Sequence, residues 1–315
     1  MTTAFEQKRF DHHHYNGRWL VVDFDGTCTA RDTTPILPKL ASMLDDNVNI
    51  VEQQQRLSKF SELEKEYFRL YETAKTEELC PQQQTLDEAL DVLDQVSNQI
   101  TEKVSNSRVL KGLYGVPSSK IQSILEEQEE LRVMLLPECL NVISDAMKTS
   151  PPSWKLGILS INWCPSLIDA VLLQPILKHL NLPDDSSIPI WSNSVDEDGV
   201  VSLNVPGALA KRDRIRKLLR ETKNDNNNIN EGCRSVIYIG DSSTDLLGLR
   251  EANVGILIGN SQSTIKMAKK WGISLSSLTE WEEGMDTTTI WIAENWKEIG
   301  EFLKKYNLTP APATK

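Results

Sequence analysis

The sequence predicts an α/β fold, a doubly wound parallel sheet (a Rossmann-like core) with an all-helical domain inserted after its first strand. Three observations predict it. Short apolar runs recur along the chain and stop abruptly at polar residues, as strands buried on both faces of a parallel sheet do. These runs alternate with segments of helical period. Between the first run and the second lies a long Glu-, Gln- and Leu-rich stretch with no strand signal.

The first strand is Trp19-Leu-Val-Val-Asp23, running straight into Phe-Asp-Gly-Thr27. From Thr33 to Lys148 the pattern is helical, as in Phe60-Ser-Glu-Leu-Glu-Lys-Glu-Tyr-Phe68 and Leu86-Asp-Glu-Ala-Leu-Asp-Val-Leu93, with apolar residues three and four apart. Strand character returns at Trp154-Lys-Leu-Gly-Ile-Leu-Ser160, followed by a helix over 165–180. Ile188–Asn193 and Val200–Asn204 flank Asp196-Glu-Asp-Gly199, which reads as a hairpin turn. A helix over 211–222 and an Asn-rich loop over 224–230 precede the strand Ser235-Val-Ile-Tyr-Ile-Gly240, and Val254-Gly-Ile-Leu-Ile258 closes the predicted pattern. The expected division is a core of residues 19–32 and 149–305, a helical cap over 33–148, a flexible arm over 1–18 and a flexible tail over 306–315.

Bulk properties narrow the partners. The 315 residues carry a formal net charge of -11, which repels nucleic acid and anionic membranes, and no basic run offsets it. The expected partner is a small molecule. Five scattered cysteines without a C-x-x-C pair fit reduced thiols in the cytoplasm. The opening residues lack the apolar stretch of a secretory signal, and the adjacent His12, His13 and His14 read as a solvated tail rather than a metal site. Oligomeric state has no sequence signal.

The chemistry sits where strands end, since ligands of open parallel sheets bind at the carboxyl ends of the strands. Asp23 and Asp25 end the first, Ser160 the second, Asp241 and Asp245 a later one, and Lys211 opens a helix. A carboxylate such as Asp23 can attack phosphorus without prior deprotonation. Asp25 can protonate the leaving oxygen and then deprotonate water, given a pKa set apart from that of Asp23. Asp241 and Asp245 are hard oxygen ligands suited to Mg2+. Ser160 and Lys211, with Thr27 and Asn162 alongside, can hold phosphate oxygens. A chance D-x-D-x-T in a chain of this length is about a one-in-twenty event on average composition, so that motif alone decides nothing. Requiring Ser160 and Gly-Asp-x-x-x-Asp at later strand ends makes coincidence remote.

Asp23-Phe-Asp-Gly-Thr27, Leu159-Ser160, Lys211 and Gly240-Asp-Ser-Ser-Thr-Asp245 resemble the four motifs of the haloacid dehalogenase (HAD) superfamily, in order. The resemblance implies nucleophile Asp23, acid/base Asp25, phosphate ligands Ser160 and Lys211, and Mg2+ bound by Asp23, Asp25 through its carbonyl, Asp241 and Asp245. A helical insert after the first motif is similar to the C1 cap of phosphoserine phosphatase and pyrimidine nucleotidases. Glu66-Tyr67 with Tyr71, Val109-Leu-Lys-Gly112, Ser160-Ile-Asn-Trp-Cys164 and Thr289-Ile-Trp-Ile-Ala-Glu-Asn-Trp296 further resemble the HAD domain fused to TenA in plant thiamine-salvage proteins. That likeness implies hydrolysis of thiamine monophosphate. A cationic thiazolium calls for aromatic faces and a carboxylate, and Tyr67, Tyr71, Trp163 and Asp32 are the candidates. Competing readings are a phosphatase for a pyrimidine nucleotide or phosphoserine, and a non-catalytic interaction protein on the same fold. A dehalogenase has no need of Asp25, and a P-type ATPase needs membrane spans.

Overall fold

The computed structural model describes residues 18–79, 84–148, 154–183, 186, 188–224, 235–285 and 288–308. The triple histidine, Cys80, Cys233, residues 225–230 of the Asn-rich loop, the arm up to residue 17 and the tail from 309 lie outside the described residues.

Strand β1 (Arg18–Val22) is the third strand of a seven-stranded sheet, all of whose pairings are parallel. On one side follow β2 (Lys155–Leu159) and β3 (Ile190–Trp191), and on the other β6 (Ser235–Gly240), β7 (Val254–Ile258), β9 (Ile290–Ala293) and the edge strand β8 (Leu275–Ser277). The chain therefore winds one way from β1 and then the other, and the switch point falls between β1 and β6. Every residue of β6 and β7 is buried, which explains why both read as unbroken apolar runs rather than alternations. Leu20 and Val22 enter the core on one face of the sheet and Val21 the core on the other, the period-two rule of a strand.

Two sequence expectations need correction. Val254–Ile258 does not close the sheet, because β8 and β9 extend it further; β8 is only three residues long and Thr289 to Ala293 was a motif without a fold assignment. Nor do the two segments around Asp196 pair along their length. Ile190–Trp191 joins the main sheet beside β2, and the hairpin consists of β4 (Ser194–Val195) and β5 (Val201–Ser202) alone. The ladder with β2 satisfies the backbone of 190–191, leaving only the residues next to the turn for the hairpin.

Between β1 and β2 the chain is helical: α1 (Leu37–Leu44), α2 (Ile50–Thr73), α3 (Leu86–Ser107), α4 (Ser118–Glu127) and α5 (Cys139–Lys148). Asn49 caps α2 by accepting from Glu52 N, and Thr85 with Glu88 forms a capping box that starts α3, the T-x-x-E signature in place. Helices α2 and α3 pack lengthwise on each other, whereas α5 packs beside β2 against α7 (Gln174–Leu180) and α11 (Trp296–Leu308). After β2, the run from Pro165 to Leu180 is helical throughout, as expected, with a π turn at Asp169–Leu173. Pro175 lacks the N–H that an α ladder there would use. Helix α8 (Ala208–Asn224) precedes β6, while α9 (Leu246–Glu251) and α10 (Gln262–Lys270) follow it. Among the described residues no helix is long and apolar enough to cross a membrane.

Candidate active site

Because β1, β2 and β6 are neighbours in register, the residues that follow them meet at one edge of the sheet. Asp23 follows Val22, Ser160 follows Leu159 and Asp241 follows Gly240. Asp23, Asp241 and Asp245 can each place one oxygen within 4.8 Å of the others. Lys211, fully buried in the first turns of α8, sets its Nζ 3.2 Å from Asp23 Oδ2 and 2.7 Å from Asp245 Oδ1.

Asp245 is saturated. Its Oδ1 accepts from Lys211 and from Tyr238 OH (2.5 Å), and its Oδ2 accepts from Asp241 N (3.2 Å), Ser242 N (3.0 Å) and Ser242 Oγ (2.9 Å). Burial alone would raise its pKa, yet the Lys211 ammonium and these donors hold it below the usual carboxylate range. Burial likewise disfavours the Lys211 cation, but Asp23 and Asp245 hold it charged. Asp241 is less engaged: Thr27 Oγ1 donates to its Oδ1 at 2.9 Å, and burial followed by the Asp245 charge pushes it up to about 7. Asp23 rises well above the ordinary range through burial, opposed by Lys211 and reinforced by Asp245 and Asp241. Its Oδ1 is buried with no hydrogen-bond partner among the described residues.

That orphaned oxygen tests the fit of a divalent cation. Two buried carboxylates, Asp23 and Asp245, and the half-buried Asp241 face one ammonium, an excess of acidic groups that a hard cation on oxygen ligands would relieve. With Asp245 saturated, Asp23 and Asp241 keep the open oxygens. Gly26 makes room for this approach: it has φ +72°, and a Cβ there would lie 2.5 Å from Asp241 Oδ2, so both the left-handed backbone and the space demand glycine.

Asp25 sits apart from this pair. Thr33 donates to its Oδ1 from both N (2.8 Å) and Oγ1 (2.7 Å), and Asn162 Nδ2 donates to its Oδ2 (2.7 Å). Burial, then the Asp32 charge, raises its pKa to about 6 against those three donors. Asp23 and Asp25 thus lie in different surroundings, the first against Lys211 and the second among the Thr33 and Asn162 donors. Ser160 is buried and accepts from Asn162 N at 3.1 Å. Thr27 and Asn162, expected beside phosphate, hydrogen-bond to Asp241 and Asp25.

The helical insert supplies the rim. The rings of Tyr67 and Tyr71 on α2 pack with centroids 5.4 Å apart at a tilt of 43°, and Tyr71 OH lies 3.0 Å from Ser243 Oγ in the loop after β6. Trp163 is half-buried against the core and Asp32 is exposed, capping Thr34 N. Sequence reasoning missed Thr33, Tyr238 and Ser243. It also missed the role of Trp296, whose buried Nε1 donates to Thr27 O at 2.8 Å and holds the loop after β1. The T-P at the start of the insert and a tyrosine inside an otherwise aliphatic strand were the available signals.

Strand order, the switch point and the motifs, three at strand ends and Lys211 in the first turn of α8, resemble a haloacid dehalogenase-like fold, with an acidic cluster at the carboxyl edge of its sheet. No family model matches the chain. It is 27% identical over 317 positions to the Bifunctional TH2 protein, mitochondrial, of Arabidopsis thaliana, covering 89% of this chain and 48% of that protein. It is also 25% identical over 253 positions to a CTO1 family protein of Schizosaccharomyces pombe, covering 77% and 82%. The chain thus spans about half the length of its plant relative. A substrate-bound phosphoserine phosphatase aligns with 90% of this chain and 98% of its own at 14% identity and a TM-score of 0.46, which adds nothing to what strand order and motif positions establish.

Proposed function

We propose that the chain hydrolyses a small phosphate monoester through an aspartyl-phosphate on Asp23, and that the ester is thiamine monophosphate. The observation that carries the reading is the Asp23 carboxylate itself, with one buried oxygen unpartnered and the other held 3.2 Å from Lys211. In this reading Asp23 attacks phosphorus while Lys211 and Ser160 hold the non-bridging oxygens. Asp25, with a pKa of about 6, gives its proton to the leaving alkoxide and then takes one from the water that cleaves the acyl-phosphate. Thr33 and Asn162 aim Asp25, and Thr27 aims Asp241. Mg2+ would be held by Asp23, Asp241 and the carbonyl of Asp25, with Asp245 behind them, and when bound would supply the positive charge that lets a carboxylate meet a phosphate.

The thiamine reading is supported by the sequence resemblance to the phosphatase domain of plant thiamine-salvage proteins and by a match to about half of a plant protein described as bifunctional. A rim of Tyr67, Tyr71 and Trp163 beside Asp32 suits a cationic heteroaromatic leaving group. The same reading takes residues 33–148 as the cap. Its cytoplasmic location is supported by the buried free thiols of Cys28, Cys139 and Cys164, although the plant relative is described as mitochondrial.

The test is phosphate release from thiamine monophosphate, phosphoserine and pyrimidine nucleotides with Mg2+, with EDTA and with Asp23→Asn. Preference for thiamine monophosphate, lost with EDTA and cut by about three orders of magnitude or more in Asp23→Asn, is expected. Preference for another ester discards the substrate and keeps the chemistry. Absence of metal-dependent release from every ester overturns both.

A further inference from the structure

Asp94 lies on α3, in the helical insert, and is buried, with 7% relative exposure. Its carboxylate faces the start of α8, where the backbone N–H groups of Ala208 and Leu209, the first two residues of that helix, draw its pKa down. It reaches them across Gly207, where a Cβ would lie 2.0 Å from the carboxylate carbon. The contact is therefore built on both sides: a buried acid on the insert, and a residue without a side chain on the core.

A helix start leaves its first N–H groups without partners, and a carboxylate there meets both those donors and the positive end of the helix dipole. The local sequence Asn204-Val-Pro-Gly207 supplies no Ser, Thr or Asp at the cap position. Asp94 performs that task from another part of the chain. One turn on, Lys211 N bonds to Gly207 O, and its side chain reaches Asp23. Lys211 also draws on Asp94 electrostatically. A second tie joins the same helices, Asp87 with Arg212.

We propose that Asp94 is a positioning residue that caps the first turn of α8 from the insert and thereby fixes Lys211 for the phosphoryl group, so that the phosphate site is complete only with α3 docked. This rests on the phosphate-binding role proposed above for Lys211. Burial pushes Asp94 up to about 7, and the two backbone donors and Lys211 draw it back, as expected of an acid that interacts with the helix start and its lysine.

The experiment measures binding of orthophosphate in Mg2+ by calorimetry, and amide exchange at Ala208 and Leu209, in the full chain. Asp94→Ala should weaken binding about five- to tenfold, the usual scale of a lost cap, and speed exchange at both amides. It should add nothing to the loss caused by Lys211→Met. Asp94→Asn keeps an acceptor and should stay within about twofold of wild type, whereas Gly207→Ala, which displaces the intact acid, should resemble Asp94→Ala. Asp87→Ala, which breaks the other tie, should leave binding and exchange at wild-type values. Unchanged exchange in Asp94→Ala, full additivity with Lys211→Met, or equal effects from Asp87→Ala would overturn the proposal. Wild-type protein that binds no orthophosphate would sink the proposed function, and the exchange data would then still decide whether Asp94 holds α8.

Discussion

At the floor of the cleft Lys211 and Asp245 are completely buried and five donors converge on one carboxylate, whereas at the rim Asp32 is exposed and Phe68, next to Tyr67, keeps 59% of its surface in solvent. The floor is over-determined by charge. Removing any member leaves an ion in a dry site, so few residue types are allowed there. The rim holds its aromatic rings by packing and by one hydroxyl pair, an arrangement many residues could replace. The difference puts the tightest constraint on residue type at the floor and leaves the rim freer to vary.

The largest break in that contrast is Asp245→Asn. An amide must turn its NH2 toward either the two donors on Oδ1 or the three on Oδ2, so donors face donors whichever way it lies. We expect a loss of about 3–5 kcal/mol in stability, the scale of a broken buried ion pair, measured by urea unfolding in EDTA. A loss under about 1 kcal/mol would show that the floor tolerates substitution as the rim does.

Metal removal sharpens the contrast next. Asp241 and Asp94 are raised to about 7 and Asp25 to about 6 from an ordinary value of 3.8. Their folded pKa values exceed the unfolded ones, so the metal-free fold binds extra protons. That contribution is complete below about pH 4 and is lost as pH rises through about 7. Asp245 runs oppositely, but its loss falls below pH 4. In EDTA, stability should fall by about 5 kcal/mol from pH 5.5 to 8, and Mg2+ should restore more at pH 8 than at pH 5.5. A flat profile in thermal melts would count against a floor held short of positive charge.

The same difference decides what could be read in the sequence. Strand ends are local: Val22 into Asp23, Leu159 into Ser160 and Gly240 into Asp241 are short-range patterns, and the parallel sheet then brings them together. Asp25 and Asp245 followed from spacing within those loops. The partners could not be read that way. Thr33 and Asn162 on Asp25, Trp296 on the Thr27 carbonyl and Asp94 on α8 are separated by 8 to 269 positions, and each would pass unremarked in its own segment. Asp94 in particular reads as one of many acids on an amphipathic helix until Gly207 is found beneath it. Strand β8 escaped because an edge strand of three residues carries too little pattern, and β9, though inside the sheet, is only four residues long.

Tyr71→Phe is the smallest change and bears on the rim directly. The hydroxyl pair between Tyr71 and Ser243 is a direct hydrogen bond between α2 and the loop that carries Asp241 and Asp245. Burial raises the Tyr71 pKa, and the bond to Ser243 opposes that rise, so the phenol stays neutral at working pH and acts as a hydrogen-bonding group rather than a charge. Its removal should cost about 0.5–1.5 kcal/mol, felt as a few-fold rise in KM with kcat nearly constant, because the ring remains packed against Tyr67 at the rim while the floor keeps every charge. Tyr71→Ala also removes the ring, and should then alter the ranking of esters in the same assay. If Tyr71→Phe instead lowered kcat as far as loss of Asp25 does, the rim would belong to the catalytic floor and the division between the two regions would fail.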